Sequence, residues 1–193
     1  MKSAGVHKLN TNELAYVLAT AHYESRWKNF DEPYPPGTDK KEYFNQLYNG
    51  VNGNIVDTDD GYLFHGRGFI HLTGRANYER LQHLLGVNFT AGLGYADRAY
   101  GGSGCPLAPT NCITEIAIVG MKQGLGSYIS LTQYNRGCDF DFVGARDTIN
   151  GNPETFEDGS DLRGKIAELA KAYAIKLSER CKIGGLPDGV VCH

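Results

Sequence analysis

Residues 29–61 break the helical rhythm of the chain and so limit what it can fold into. Pro33, Pro35, Pro36 and Gly37 are followed by Asn49-Gly50, Asn52-Gly53 and Asp60-Gly61, all of them turn-forming sequences. Proline lacks an amide donor and fixes φ, and glycine opens the left-handed region, so no long helix or central strand runs through this stretch. A short helix near 40–48 is the most regular structure it allows. Irregular segments of this length inside a domain are usually functional or disordered. The aromatic side chains Tyr34, Tyr43, Phe44 and Tyr48, with Tyr62 and Phe64 just beyond, favour an ordered, functional loop.

On either side of this segment the apolar spacing is helical. Leu14, Val17, Leu18 and Ala21 predict a helix over 10–25, opened by Asn10 and Glu13 as a capping box. A second helix spans 74–85, with Tyr78, Leu81 and Leu85 on one face and Gly86 as its stop. Further helices are predicted over 113–122, 139–149 and 160–180. Phe69 to Leu72 reads as a short extended run. There is no repeat, linker or low-complexity tract. Residues 1–193 therefore read as one mainly α domain (α+β in detail), a helical bundle with a small β element. Its 193 residues are enough to bury a core.

Composition narrows the function classes. Nineteen basic against 22 acidic residues give a net charge of -3, without the basic excess that phosphate contacts require, so nucleic acid is not an expected partner. No apolar run approaches the roughly 18 residues of a membrane span. Five cysteines make an odd number: Cys105 with Cys112 and Cys181 with Cys192 bracket short loops suited to disulfides, and Cys138 is left over. Such bridges imply an oxidising, extracellular setting; five reduced thiols inside a cell is the alternative. No Cys-x-x-Cys pair suggests zinc. The first residues, Met-Lys-Ser-Ala-Gly-Val-His, hold no apolar signal region, so secretion implies a removed signal or another route, such as phage-type release. Asn88-Phe89-Thr90 is a glycosylation sequon, of use only on a eukaryotic secretory route.

Two groups of residues can carry chemistry. Glu24 lies at the edge of the apolar stripe of the first helix, in its last turn. Partial desolvation and the negative end of the helix dipole both favour the protonated carboxyl, which suits a general acid. The plainer reading is a surface glutamate at a fraying helix end. His22 beside it does not complete a metal-binding pattern, and no metal or cofactor is expected. The second group is Gly66-Arg67-Gly68-Phe69-Ile70-His71-Leu72-Thr73-Gly74-Arg75-Ala76-Asn77-Tyr78. It is neither a dinucleotide fingerprint nor a Walker loop. Arg67 suits a clamp on a buried carboxylate or a ligand contact. Thr73 suits a helix N-cap or the positioning of a water. His71 suits a packed core histidine.

Leu18-Ala19-Thr20-Ala21-His22-Tyr23-Glu24, then Asp60-Gly61-Tyr62, then the run from Gly66 to Tyr78 resemble the lysozyme-like enzymes of glycoside hydrolase family 19, the chitinase and endolysin group. Phe142-Val143-Gly144-Ala145-Arg146-Asp147-Thr148-Ile149-Asn150-Gly151 is similar to a downstream segment of that family. The likeness spans about residues 14–180. It implies a lysozyme-like fold around a substrate cleft, with Glu24 as general acid and Thr73 holding the attacking water. It also implies that Asn77 and Asn150 bind sugar or order the catalytic network. His71 stands where the family usually has Gln. Arg67 and Tyr62 complete the implied substrate contacts. The second carboxylate is taken as Glu32, eight positions after Glu24, with Asp31 next; the chitinase pattern would instead use Asp57, Asp59 or Asp60.

The implied chemistry is general acid/base hydrolysis. One carboxyl protonates the leaving oxygen while the other activates water on the opposite face of the sugar. The implied substrate is peptidoglycan, cut between N-acetylmuramic acid and N-acetylglucosamine, as in a secreted, wall-lysing, antimicrobial muramidase. The chain would act as a monomer on a polysaccharide partner. Chitin is the alternative substrate, and the slight net acidity weighs toward it because bacterial walls are anionic. A catalytically silent sugar-binding relative, or a structural protein, is the non-enzymatic alternative.

Overall fold

The computed structural model describes residues 8–28, 31–92, 96, 112–127, 129–137, 139–149, 161–184 and 190–191. These form a mainly helical protein with a few short strands. The helices are α1 (Thr11–Ser25), α2 (Lys40–Tyr48), α3 (Asp60–Leu63), α4 (Arg75–Leu85), α5 (Cys112–Gln123) and α6 (Leu162–Lys182). The strands are β1 (Leu9–Asn10), β2 (Asn135–Arg136), β3 (Asp139–Phe140) and β4 (Val190–Val191); β1 pairs parallel with β4, and β2 antiparallel with β3. No helix among the described residues is long and apolar enough to cross a membrane. The chain forms two compact units, residues 1–23 with 121–193, and residues 24–120.

The first unit is built around the capping box at the start of α1. Asn10 N donates to Glu13 Oε2 (3.0 Å) and Glu13 N to Asn10 Oδ1 (2.8 Å), so each residue satisfies an amide of the other. Asn135 joins this network, donating to Glu13 Oε1 (2.9 Å) and accepting from Asn10 Nδ2 (2.8 Å). The buried side chains of this unit include Tyr16, Val17, Leu131, Phe140, Phe142, Ile166 and Ala170. The Tyr16 and Phe140 rings lie 6.1 Å apart. The long helix α6 begins at Asp161, whose carboxylate accepts from Arg163 N and Gly164 N (3.0 Å each).

The helix expected over 139–149 is not formed. Asp139 and Phe140 pair with β2 across a turn at Gly137 (φ +69°). Asp141 then accepts from Gly144 N (2.8 Å), opening a 3₁₀ turn over Gly144–Thr148. The glycines at 137 and 144 cut the segment too short for α-helical propagation.

The second unit packs Phe44, Phe64, Tyr78, Leu81, Phe89, Ile113 and Ile116. The short helix α3 stands where a turn was expected at Asp60-Gly61. Two asparagines of α2 and its C-cap satisfy its first amides: Asn49 Oδ1 accepts from Gly61 N, and Asn45 Oδ1 from Tyr62 N (2.8 Å each). The run Phe69–Leu72 is not extended either. Arg67 and Leu72 bridge in antiparallel fashion and the residues between them turn, with Gly68 at φ +77° and His71 at φ +47°. Asp31 bridges the other side of Arg67, so the β element of this unit is a patch of three residues. Cys112 and Cys181 each take part in a disulfide; Cys105 and Cys192, their expected partners, and Cys138 lie outside the described residues.

Candidate active site

Glu24, Glu32, Tyr62, Arg67, His71, Thr73 and Asn77 all belong to the second unit, and Asn150 lies outside the described residues. Glu24 is half-buried in the last turn of α1. Glu32 is half-buried in the extended stretch that follows Asp31.

Both Glu32 oxygens are held by neutral donors. Oε2 accepts from Gly66 N (3.1 Å), and Oε1 accepts from the Tyr48 hydroxyl at the end of α2. The backbones are locked together as well, since Glu32 N donates to Gly66 O (3.0 Å). Burial first, and then the bond to Glu32, push the Tyr48 hydroxyl well above its ordinary pKa, so it remains a donor at neutral pH. A β-carbon at residue 66 would stand 2.8 Å from Glu32 Oε2, so glycine is what lets the carboxylate reach this amide. Neither Tyr48 nor this use of the Gly66 amide is evident in the sequence. The only signal for Tyr48 is its i, i+4 spacing from Phe44, which places both on one side of α2.

Asp31 is engaged differently. Successive side chains of an extended strand point to opposite faces, so neighbouring Asp31 and Glu32 meet different partners. Asp31 pairs with Lys40 and with His65 Nε2 (2.6 Å). Burial raises its pKa, but the hydrogen bonds and charges of His65 and Lys40 outweigh that and hold the carboxyl below its usual range. His65 is itself fully buried, stacked on Phe44 (4.2 Å, 6° between planes) and bonded through Nδ1 to the Tyr62 carbonyl. Asp31 thus meets the Lys40 ammonium and the His65 ring, while Glu32 is held by a backbone amide and a hydroxyl.

Two of the three carboxylates of the chitinase-like pattern are engaged in ion pairs. Asp60 is buried and grips the Arg75 guanidinium through Nε (2.6 Å) and Nη2, while accepting from Ile55 N (2.9 Å). The hydrogen bonds from Arg75 hold its carboxyl below the usual range. Asp59 pairs with Lys41 (2.8 Å) on the surface, and Asp57 is exposed.

Arg67 has no exposed surface. Its Nη1 donates to the carbonyls of Leu63 (2.7 Å) and His65 (3.2 Å) and to the Tyr78 hydroxyl (3.3 Å). From this fully buried position it ties together the backbone of the segment and the Tyr78 hydroxyl. The N-cap of α4 is Gly74 (φ +92°), not Thr73. The free amides of α4 are met instead by the loop before α3: Arg75 N donates to Asn54 Oδ1 (2.8 Å) and Ala76 N to Asn52 O (3.1 Å). Thr73 is therefore spared the capping role. It is half-buried, and its hydroxyl donates to His71 O (2.8 Å). Asn77, buried on α4, donates to Thr73 O (2.8 Å) and keeps a buried Oδ1 without a hydrogen-bond partner. His71 is half-buried, and the half-buried Tyr62 ring stacks on His65 (5.7 Å).

Among the described residues no group of three or more His, Cys, Asp or Glu side chains could hold a metal ion. No protein-family model and no curated protein matches this chain.

Proposed function

We propose that the protein is a glycosidase that hydrolyses β-1,4 bonds of peptidoglycan by general acid/base catalysis. The observation that carries the reading is the bond from Gly66 N to Glu32 Oε2. Through it, the glycine-rich segment that carries the family resemblance holds the acidic residue assigned as base. The amide and the Tyr48 hydroxyl fix the position of both carboxylate oxygens, as a base aimed at one water requires. Glu24 is the acid, and its half-buried place at a helix C-terminus suits proton donation to the leaving oxygen. Thr73 orients the water. With its own proton committed to the His71 carbonyl, its oxygen has lone pairs left to accept from the nucleophile. Chitin is the alternative substrate, supported by the net charge of -3.

Incubation with purified peptidoglycan, followed by mass spectrometry of the new reducing ends, tests the proposal. Ends in N-acetylmuramic acid support it. Cleavage confined to chitin oligomers replaces muramidase by chitinase. Glu24→Gln should lose at least about 100-fold in activity with its fold intact; full activity in that variant removes Glu24 from the mechanism.

A further inference from the structure

We propose that Arg26, Trp27 and Lys28 form a binding subsite for a carboxylate-bearing N-acylated sugar, with the sugar ring on the Trp27 indole and the carboxylate on the two cations. The proposal rests on the glycosidase reading and names its substrate class. It begins with the backbone. The chain leaves α1 through two consecutive non-glycine residues in the left-handed region, Arg26 at φ +50° and Trp27 at φ +61°. The turn is closed by Lys28 N donating to Ser25 O (2.8 Å). Bulky side chains seldom adopt this conformation, and such strain gathers at ligand sites.

The side chains held this way are out of place for a purely structural turn. Trp27 is the only tryptophan in the sequence, yet it is 43% exposed. It meets Phe69 with the two rings nearly perpendicular (5.9 Å, 82°), a favoured arrangement of aromatic pairs. Arg26 and Lys28 are exposed, and neither is ion-paired to a carboxylate among the described residues. Lys40, Lys41, Arg75 and Arg163, by contrast, all meet carboxylates. A chain of net charge -3 thus flanks its one tryptophan with two exposed cations that meet no carboxylate among the described residues.

The position suits a substrate that continues into the candidate active site. Trp27 follows Glu24 by three residues. Its partner Phe69 lies in the turn between Arg67 and Leu72, three residues after Gly66, whose amide holds Glu32. A pyranose offers axial C–H groups to an indole face, and a carboxylate forms charge-assisted hydrogen bonds with guanidinium and ammonium groups. A neutral amino-sugar polymer would use only the indole. A muramyl sugar, with its lactyl group and peptide carboxylates, would use all three side chains.

The single tryptophan supplies the readout. Full-length Glu24→Gln protein is titrated with N-acetylglucosamine oligomers and, separately, with disaccharide-peptide fragments of peptidoglycan, following intrinsic emission. The expected result is a saturable change with both ligands and about tenfold tighter binding of the carboxylate-bearing fragments. That preference should shrink in salt and vanish in the Arg26→Gln/Lys28→Gln variant, while oligomer affinity stays unchanged. Equal affinity for both ligands, or calorimetric binding with silent emission, overturns the subsite. A response to anionic lipid vesicles in place of sugars also overturns it. Hydrolysis by the wild type with silent Trp27 overturns the subsite alone. A selective Trp27 response without any hydrolysis overturns the glycosidase reading alone.

Discussion

Glu32 is held by two donors of different kinds, a rigid backbone amide and a tyrosine hydroxyl on a neighbouring helix, and they can be removed one at a time. Gly66→Ala places a methyl group 2.8 Å from Oε2. The closest atom ends a flexible side chain and can swing aside, and the β-carbons of His71 (3.2 Å) and Glu32 (3.3 Å) need give only a few tenths of an ångström, so the fold survives. Activity should fall at least about tenfold, with the urea midpoint almost unmoved. Tyr48→Phe removes the other donor. The carboxylate then keeps only the amide to fix its position, so kcat/KM should fall about tenfold. If neither variant alters the rate, Glu32 is not the base. The resemblance pointed to Glu32 from spacing alone. The sequence was silent on why Asp31, its neighbour, is less suited, because that depends on His65 and Lys40 arriving from more distant parts of the chain.

At the scale of elements, asparagines organise the segment that sequence periodicity left irregular. Asn45 and Asn49 accept from the first amides of α3, and Asn54 accepts from the first of α4 while donating to Tyr48 O (2.9 Å). Propensity reads Asn and Gly as turn residues, which they are locally. It does not reveal that their side chains cap helices many residues away. For this reason α3 was not legible, while α4, read over 74–85, and α1, with a capping box contained in four successive residues, were. The close approach of α2 and α3 depends on Gly61. A β-carbon there would lie 2.4 Å from Phe44 O and 2.8 Å from Asn45 Cα. These are backbone atoms of a helix and cannot yield cheaply. Gly61→Ala should therefore cost about 1–3 kcal/mol or more in urea unfolding, unlike Gly66→Ala.

For the whole molecule, two carboxylates tie stability to acidity. Asp31 and Asp60 both have folded-state pKa values below the ordinary 3.8. Their contribution is present in full above that ordinary value and is lost as pH falls through the lower, folded ones. The urea midpoint should stay level from about pH 7 to about pH 5 and decline below about pH 4. Asp60→Asn should be less stable at neutral pH, because it strands Arg75, and should lose less on acidification. A midpoint as acid-sensitive as the wild type's would deny Asp60 this role. The mainly helical class followed from apolar periodicity in long segments such as α1 and α6. The 3₁₀ turn and hairpin near residue 140 did not, because their few residues carry too short a pattern to separate from a helix.

The two Asn-Gly pairs beside α2 should age at different rates. Deamidation needs the asparagine side chain to bend back onto the amide nitrogen of the next residue. Asn49 is restrained from doing so, with Oδ1 bonded to Gly61 N and Nδ2 to Thr58 O (2.7 Å). Asn52 is exposed. Peptide mapping of stored protein should find isoaspartate at position 52 well before position 49. The extra backbone atom would fall where Asn52 O meets Ala76 N, so chemical wear would loosen the first turn of α4, next to Thr73, before it disturbed the core.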